Sequence, residues 1–352
     1  MDGLSGFEIT ALGGLLGGVL LGYAARVGRF CTLGAIEDAL YGDSFDRLRM
    51  WALALGLSII GCAGLVASGV LDRADLFIVR DGFSPIAASL GGVLFGYGMA
   101  LAGTCGYGAL ARLGTGDMRA FVLVMILGIS TYASLFGPLA PLRLALFSME
   151  FGRINAPVTM DGLVSNLTGV SSILVASLIG AGFCVLGAWS GQRRKAALWG
   201  SLVAVGIVTG WGITAWVAQT SFDPVGVRSH NFSAPVGESI AWVMMSSVRP
   251  VGFATGSVIG VVIGSALGSW RLSQFRWEAC EDPRELKRQV AGAVFMGFGA
   301  TLALGCSVGQ GLSAFAVLTL SAPIVCVSIF VGAAVGLRHL IFGWPGFRSL
   351  QG

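Results

Sequence analysis

The feature that most constrains this chain is a series of long apolar stretches, each about as long as a helix that crosses a lipid bilayer. A span needs about 20 predominantly apolar residues, and its backbone hydrogen bonds must be satisfied internally. The series therefore predicts an all-α, polytopic membrane protein with about nine transmembrane helices. The stretches cover residues 9–27, 49–71, 86–103, 119–137, 171–190, 200–218, 250–270, 290–304 and 321–342.

The composition excludes several other classes of protein. Hydrophobic residues make up 55% of the chain and charged residues 11%, which is incompatible with an ordinary water-facing surface. No Gly-x4-Gly-Lys phosphate loop is present, so ATP hydrolysis is not supported. With only two lysines and no long basic run, a nucleic-acid partner is not expected. We therefore expect residues 1–352 to form a single transmembrane domain in contact with lipid.

The distribution of positive charge predicts the orientation of this domain. Placing the N-terminus outside puts 16 of the 22 Lys and Arg residues on the cytoplasmic side, where the positive-inside rule expects them. The first apolar stretch is preceded by Asp2 and Glu8 instead of positive charge, so it is not a cleaved signal peptide. The expected orientation therefore places the N-terminus outside and the C-terminus in the cytoplasm.

Four further segments are too apolar for loops and too short and glycine-rich to cross. We interpret them as re-entrant half-helices, because non-helical backbone at membrane depth persists only where it is buried in protein or lines a wet cavity. Each is therefore a candidate for a substrate path. The segments are residues 30–40, 104–114, 234–247 and 305–316.

An internal repeat relates two of these segments. FGYGMALAGTCGYG, residues 95–108, aligns without gaps with MGFGATLALGCSVG, residues 296–309, and six of 14 positions are identical. The predicted topology gives the two copies opposite orientations, so the chain contains two inverted pseudo-repeats. Their expected limits are a half-repeat at 1–137, a linker and helix at 138–198, and a half-repeat at 199–342. Inverted repeats place a substrate site near the bilayer midplane, where broken helices converge.

Three of the seven cysteines lie in glycine-rich breaks, namely Cys31 in GRFCTLG, Cys105 in GTCGYG and Cys306 in GCSVGQG. The alternative reading of these three is small-residue packing at helix crossings. The other cysteines are expected to be structural or incidental. Cys62, Cys184 and Cys326 lie inside apolar stretches, where a free cysteine behaves as a small hydrophobe, and Cys280 lies in a charged loop.

The pattern disfavours a resident metal or cofactor. The motif cysteines are at least 74 residues apart, unlike the paired cysteines of zinc and iron–sulfur sites. The only histidines, His230 and His339, fall near polar ends of the stretches, and we expect both at the surface. A redox relay remains open. Thiols stacked at half-helix tips suit a soft, polarizable anion that passes between weak sites, and neutral thiols would serve it better than repelling thiolates.

Polar residues near the breaks are further candidates for substrate binding. Arg29 lies two residues before Cys31, and a cationic vestibule would attract anions, although interfacial snorkelling is the common role of such arginines. The acidic residues Glu37 and Asp38 could pair with Arg26 or Arg29 and weaken that attraction. Gln310 and Tyr107 could supply neutral hydrogen bonds, although Tyr107 could equally belong to the core.

The three ordered motifs, GRFCTLG, GTCGYG and GCSVGQGLSA, resemble those of the YeeE/YedE family of sulfur-transport membrane proteins. The resemblance extends from about residue 22 to 336. It implies uptake of thiosulfate, or of a related small sulfur-containing anion, across the bacterial inner membrane. It also implies that Cys31, Cys105 and Cys306 handle the anion in sequence, and that a separate cytoplasmic sulfur carrier resembling TusA or YeeD is a partner.

Three other functions remain open on the sequence. A membrane sulfurtransferase or redox subunit would take up sulfur covalently as a cysteine persulfide, and the same motifs could serve a different sulfur or selenium species. The chain could also be a structural subunit of a larger membrane complex. Transport without catalysis is the expectation, and no cofactor is expected.

Overall fold

The computed structural model describes residues 5–73, 76, 79, 82–146, 159–189, 193–279 and 282–343. These residues form helices and no strand beyond isolated bridges, which confirms the all-α prediction. The helices are α1 (Gly6–Val27), α2 (Thr32–Tyr41), α3 (Asp46–Ala67), α4 (Pro85–Ala102), α5 (Gly106–Leu113), α6 (Met118–Leu135), α7 (Ala140–Leu146), α8 (Met160–Thr168), α9 (Ser172–Ala188), α10 (Arg193–Thr220), α11 (Ala234–Met245), α12 (Phe253–Arg271), α13 (Pro283–Leu302) and α14 (Ser321–Phe342), with a π-helical segment at Gly309–Ala314.

Seven helical stretches in the described part of the chain are long and apolar enough to cross a membrane. They are α3, α6, α10, α12, α14, and the pairs α1–α2 and α4–α5. The two other predicted spans are also helices. Helix α9 is apolar but has only 17 residues, and the first turns of α13 carry Arg284, Glu285 and Lys287, so that only its later part is apolar. The protein is a multi-pass membrane protein.

Helix starts follow from local side-chain chemistry. Ser5 and Glu8 form a capping box at the start of α1, and the carboxylates of Asp117 and Asp282 cap α6 and α13. Such side chains satisfy backbone N–H groups that the first helical turn leaves without partners. Pro283 supplies the fixed φ that suits the first position of α13. These boundaries are therefore determined by short-range sequence.

Glycines bring the spanning helices into close contact. Helix α1 presents Gly14 and Gly18 to α12, and α12 presents Gly256 and Gly260 back to α1. A Cβ on Gly18 or Gly260 would collide with a backbone carbonyl of the facing helix. Small residues spaced four apart allow the two helices to approach closely. Close packing then stabilises the pair, because lipid provides no hydrophobic driving force for helix association. This crossing is the most extensive helix pairing in the described part of the chain.

The first six helices, α1–α6, correspond in order to the last six elements, which are α10–α13, the π-helical segment and α14. Contacts between the two groups occur in matching pairs, in which each partner is replaced by its equivalent in the other group. Helix α1 packs on α12 as α10 packs on α3, and α4 packs on α14 as α13 packs on α6. The short helices correspond as well, since α2 packs on α3 and α14 while α11 packs on α12 and α6. Helix α9 lies outside this relation and packs on α3.

Candidate functional site

Four short helical segments end inside the molecule, and their N-termini meet. They are α2, α5, α11 and residues 307–316, which include the π-helical segment. The hydroxyl groups of Thr32 and Ser307 lie 3.2 Å apart, which joins the first segment to the fourth. The Phe232 N–H lies 3.3 Å from the Cys306 sulfur, which joins the third to the fourth. Gly106 approaches the Phe232 carbonyl so closely that a Cβ would lie 2.7 Å from it, which joins the second to the third.

The motif cysteines occupy the N-cap positions of these segments. Cys31 precedes α2, Cys105 precedes α5, and Cys306 precedes the helical residues that start at 307. The Cys105 sulfur accepts a hydrogen bond from the Gly108 N–H at 3.4 Å, and the Cys306 sulfur accepts one from the Gly309 N–H at 3.3 Å. These two thiols thus take the role that Ser, Thr or Asp plays at most N-caps, whereas the Cys31 thiol makes no capping hydrogen bond.

The fourth N-cap is Ser233, at the start of α11, where the repeat lacks a cysteine. We call Cys31, Cys105, Ser233 and Cys306 the N-cap layer. The four N-termini direct backbone N–H groups and the positive ends of helix dipoles toward this layer, an arrangement that favours an anion.

Cys105 lies at the centre of the three thiols. It is fully buried, and the Thr32 and Ser307 hydroxyl groups lie within hydrogen-bonding reach of its sulfur. Cys31 and Cys306 are both close enough to Cys105 for a charge on one thiol to act on the other. Cys31 is partly exposed and Cys306 is buried. The three thiols therefore lead from a partly open position into the closed interior.

Sequence reasoning missed Asn231, which organises the start of the third and fourth segments. Its side-chain oxygen accepts hydrogen bonds from the N–H groups of Phe232 at 2.8 Å and of Ser233 and Cys306 at 3.4 Å. Gly309 makes this approach possible, because a Cβ there would lie 2.8 Å from the amide carbon and oxygen of Asn231. The available signal was an asparagine three residues before a half-helix.

Thr32 and Ser307 were also missed, although each directly follows a motif cysteine. Their hydroxyl groups form the contact between the two halves of the chain next to Cys105. Hydroxyl groups can both donate and accept hydrogen bonds, so they can exchange this mutual contact for one with an anion.

A cavity of about 510 Å³ leads to Cys31. We call it the basic cavity, because its charged lining consists of Arg26, Arg29, Arg47 and Arg112 with the single carboxylate Glu37. Thr104 and Gly108, on either side of Cys105, also reach its wall. Such a concentration of positive charge raises the local concentration of small anions.

The ion pairs of the basic cavity differ from the expectation. Asp38 pairs with Arg47, at 3.1 Å, instead of with Arg29. Arg29 lies in the turn between α1 and α2 with a left-handed backbone, φ 53°. Its side chain has no ion-pair or hydrogen-bond partner among the described residues and stays available to an anion.

A second cavity, of about 150 Å³, reaches Asn231 and Gly309 from the other direction. We call it the histidine cavity, because His230 lines it together with Ser257 and the Arg228–Glu238 ion pair, whose atoms are 2.9 Å apart. The two cavities open at opposite ends of α12. Phe253, at the start of this helix, lines the histidine cavity, and Leu272, just beyond its end, lines the basic cavity. The N-cap layer closes the space between them.

The prediction that both histidines lie at the surface is wrong for His230. This residue is fully buried, with Nδ1 2.6 Å from the Ser257 hydroxyl group, and its backbone carbonyl accepts a hydrogen bond from Ser313. It fits there because Gly17 of α1 leaves space for its ring. His339 is half-buried, and its Nδ1 lies 2.7 Å from the Tyr97 hydroxyl group.

Tyr107 and Gln310 support the layer from behind. The Tyr107 hydroxyl group donates to the Leu21 carbonyl of α1, and its ring stacks on Phe232 at 5.3 Å. The amide nitrogen of Gln310 donates to the Leu304 carbonyl at 3.1 Å. Both side chains are buried, and these polar groups bond to backbone carbonyl groups of the protein. Their role in this structure is to position the half-helices.

The remaining cysteines lie away from the layer. Cys62 and Cys184 lie within α3 and α9, Cys326 lies within α14, and all six described cysteines are free thiols. Cys280 is outside the described residues. No group of three or more His, Cys, Asp and Glu side chains in the described ranges is placed to hold a metal ion.

The fold and the site define a multi-pass membrane protein in which two cavities approach a closed layer of half-helix N-termini from opposite ends. The chain belongs to the sulphur transport family, whose sequence model matches residues 27–335. It is 24% identical over 334 residues to the thiosulfate transporter TsuA of Escherichia coli K12, covering 91% of this chain and 92% of that protein. It is 23% identical over 343 residues to the thiosulfate transporter TsuA of Spirochaeta thermophila, covering 91% and 96%.

Proposed function

We propose that this protein transports thiosulfate across the membrane through the N-cap layer. The observation that carries the proposal is the position of three buried or partly buried thiols between two cavities that open at opposite ends of a spanning helix. The names of the two relatives support the choice of thiosulfate.

The layer suits a small divalent anion with one soft sulfur. Four helix N-termini supply positive potential without a fixed countercharge, so the anion is attracted but not trapped. Thiol and hydroxyl groups of Cys31, Cys105, Cys306, Thr32 and Ser307 supply neutral donors that replace part of the hydration shell. The thiols act protonated, since an S–H group donates to sulfur or oxygen while a thiolate repels the anion.

For uptake, we propose that the anion enters from the histidine cavity, passes Cys306 and Cys105, and leaves past Cys31 into the basic cavity. This direction rests on the orientation predicted from positive charge, with the N-terminus outside and the C-terminus in the cytoplasm. It agrees with the four arginines of the basic cavity, which would then face the cytoplasm. A cytoplasmic sulfur carrier could collect the anion at that mouth.

We also propose that the two groups of helices are inverted repeats, residues 1–137 and 199–342, joined by a linker at 138–198. The exchange relation in helix packing and the matching N-cap positions of Cys105 and Cys306 support this. Inverted repeats explain why half-helices reach one layer from both faces of the membrane.

The test is uptake of ³⁵S-thiosulfate by proteoliposomes that contain the purified full-length protein. Uptake above protein-free liposomes is expected, and Cys105→Ala should reduce it by roughly ten- to a hundred-fold, the effect of losing a buried hydrogen bond to a charged group. Cys62→Ala is the matched control, because Cys62 is equally buried but lies inside α3. Full uptake by the Cys31, Cys105 and Cys306 alanine variants would refute the thiol path.

Mass spectrometry of the same protein separates transport from persulfide chemistry. After exposure to thiosulfate, the transport mechanism leaves all three motif cysteines unmodified. A stable gain of one sulfur atom on Cys31, Cys105 or Cys306 would instead favour a sulfurtransferase.

A further inference from the structure

A third cavity, of about 340 Å³, lies at the side of the molecule between α3 and α14. We call it the lateral cavity. Its walls are almost wholly apolar and include Trp51, Phe183 and Phe330. Its volume falls within the range of about 300–1,000 Å³ that is usual for ligand pockets, whose linings are mostly hydrophobic.

The mouth of the lateral cavity opens on the surface that faces lipid. Leu48 of α3 and Val327 of α14 line it and are 36% and 64% exposed. Both helices are long and apolar enough to span the membrane, and Val331, one turn beyond Val327, is also exposed. Outside this mouth the protein therefore meets bilayer chains and not water.

The inner end of the cavity reaches the N-cap layer. Thr32 and Ser307 line it, and these two hydroxyl groups are hydrogen-bonded to each other at 3.2 Å. Water needs two to four polar partners to occupy a buried site stably. The polar side-chain groups of the lining are the two hydroxyl groups, the Cys326 thiol and the Trp51 indole N–H, so most of the cavity wall offers water no partner. An apolar occupant fits better.

We propose that the lateral cavity binds one acyl chain of a bilayer lipid, whose end packs beside the Thr32–Ser307 contact. The chain comes from the leaflet on the side of the basic cavity. Leu48 and Trp51 lie in the first turns of α3, the same end of the helix that contributes Arg47 to the basic cavity.

The consequence for function rests on the proposed transport path. An acyl chain beside Thr32 and Ser307 limits how far α2 can move away from the fourth half-helix. The lipid would then be a structural part of the closed layer.

The test is photo-crosslinking in liposomes that contain the full-length protein and a phospholipid with a diazirine in the middle of one acyl chain. Residue-level mass spectrometry is expected to find label on Ile36 and Leu55, which line the cavity but are buried from bulk lipid. Val327→Trp should block the mouth and lower this labelling several-fold. Val331→Trp, four residues along the same exposed face, should leave it unchanged.

Leu48→Trp tests the opposite side of the mouth and serves if Val327→Trp does not fold. The proposal is overturned if label appears only on outward residues such as Val331, or if both mouth variants label like the unmodified chain. Labelling does not depend on uptake, so failure of the transport assay would leave this result interpretable.

Discussion

The basic cavity and the histidine cavity approach the same layer of half-helix N-termini, but their walls differ in chemistry. The first is large and has four arginines against one glutamate, while the second is smaller and its charges are paired as Arg228 with Glu238. The basic cavity ends at the partly exposed Cys31, whereas the histidine cavity ends at Asn231, whose amide holds the start of two half-helices. The difference indicates that one end attracts anions by charge and the other controls the path by geometry.

The largest effect is expected on the histidine side, from Asn231→Ala. This change leaves the N–H groups of Ser233 and Cys306 without their acceptor and leaves the Phe232 N–H only the Cys306 sulfur. An unsatisfied buried donor costs about 1–3 kcal/mol. We expect thiosulfate uptake to fall by roughly ten- to a hundred-fold. Asn166→Ala, on the exposed face of α8, is the control and should have no effect. Normal uptake by the Asn231→Ala variant would show that the geometry of the half-helix starts at the histidine cavity does not control the path.

Gly309→Ala tests the position of the Asn231 amide with a smaller expected loss of uptake. The added Cβ would lie 2.8 Å from the Asn231 amide, so Asn231 must move away from the layer. A loss of uptake of roughly ten-fold is expected, equivalent to about 1.4 kcal/mol. Gly64→Ala is matched to it, since a Cβ at Gly64 of α3 meets nothing within 4 Å and alanine favours helix. Equal behaviour of the two variants in the uptake assay would contradict the argument.

Thr32→Val and Ser307→Ala test the hydrogen bond that joins the first half-helix to the fourth, between the two cavities. Each variant removes one hydroxyl group of the 3.2 Å pair beside Cys105, and we expect a several-fold loss of uptake from either. The double variant should lose less than the product of the single effects, with a coupling of about 0.5–1 kcal/mol, at the low end of the range for residues in contact. Thr209→Val, whose hydroxyl group bonds only within α10, is the control. Strictly multiplicative effects would show that the pair does not act together.

The smallest effect is expected in the basic cavity, from Arg29→Gln. Attraction by an exposed charge is screened by salt, so the initial rate should fall a few-fold at low ionic strength and approach the unmodified rate at high salt. Arg271→Gln, at the exposed end of α12 and outside the cavity lining, should not change the rate. If the rate falls equally at low and high salt, Arg29 acts by stabilising the structure and not by attracting anions electrostatically.

The predicted breaks and the observed N-caps agree because both depend on short-range sequence. A glycine-rich break followed by a cysteine and a short apolar run already specifies a half-helix that starts at the cysteine, as at Cys31 and Cys105. The candidate roles of Gln310 and Tyr107 were harder to predict, because the same polar groups could face a substrate or the protein. In the structure both face the protein, at Leu304 and Leu21.

The sequence by itself determined the membrane-spanning helices, the four breaks and the cysteines at three of them, because apolar length and cap chemistry act over one or a few helical turns. Only the tertiary structure decided which residues meet at the layer. Thr32 and Ser307 are 275 residues apart, and Phe232 and Cys306 are 74 apart, so no local pattern relates them. The burial of His230 was decided in the same way, since it depends on the space that Gly17 leaves on a helix more than 200 residues away in the chain.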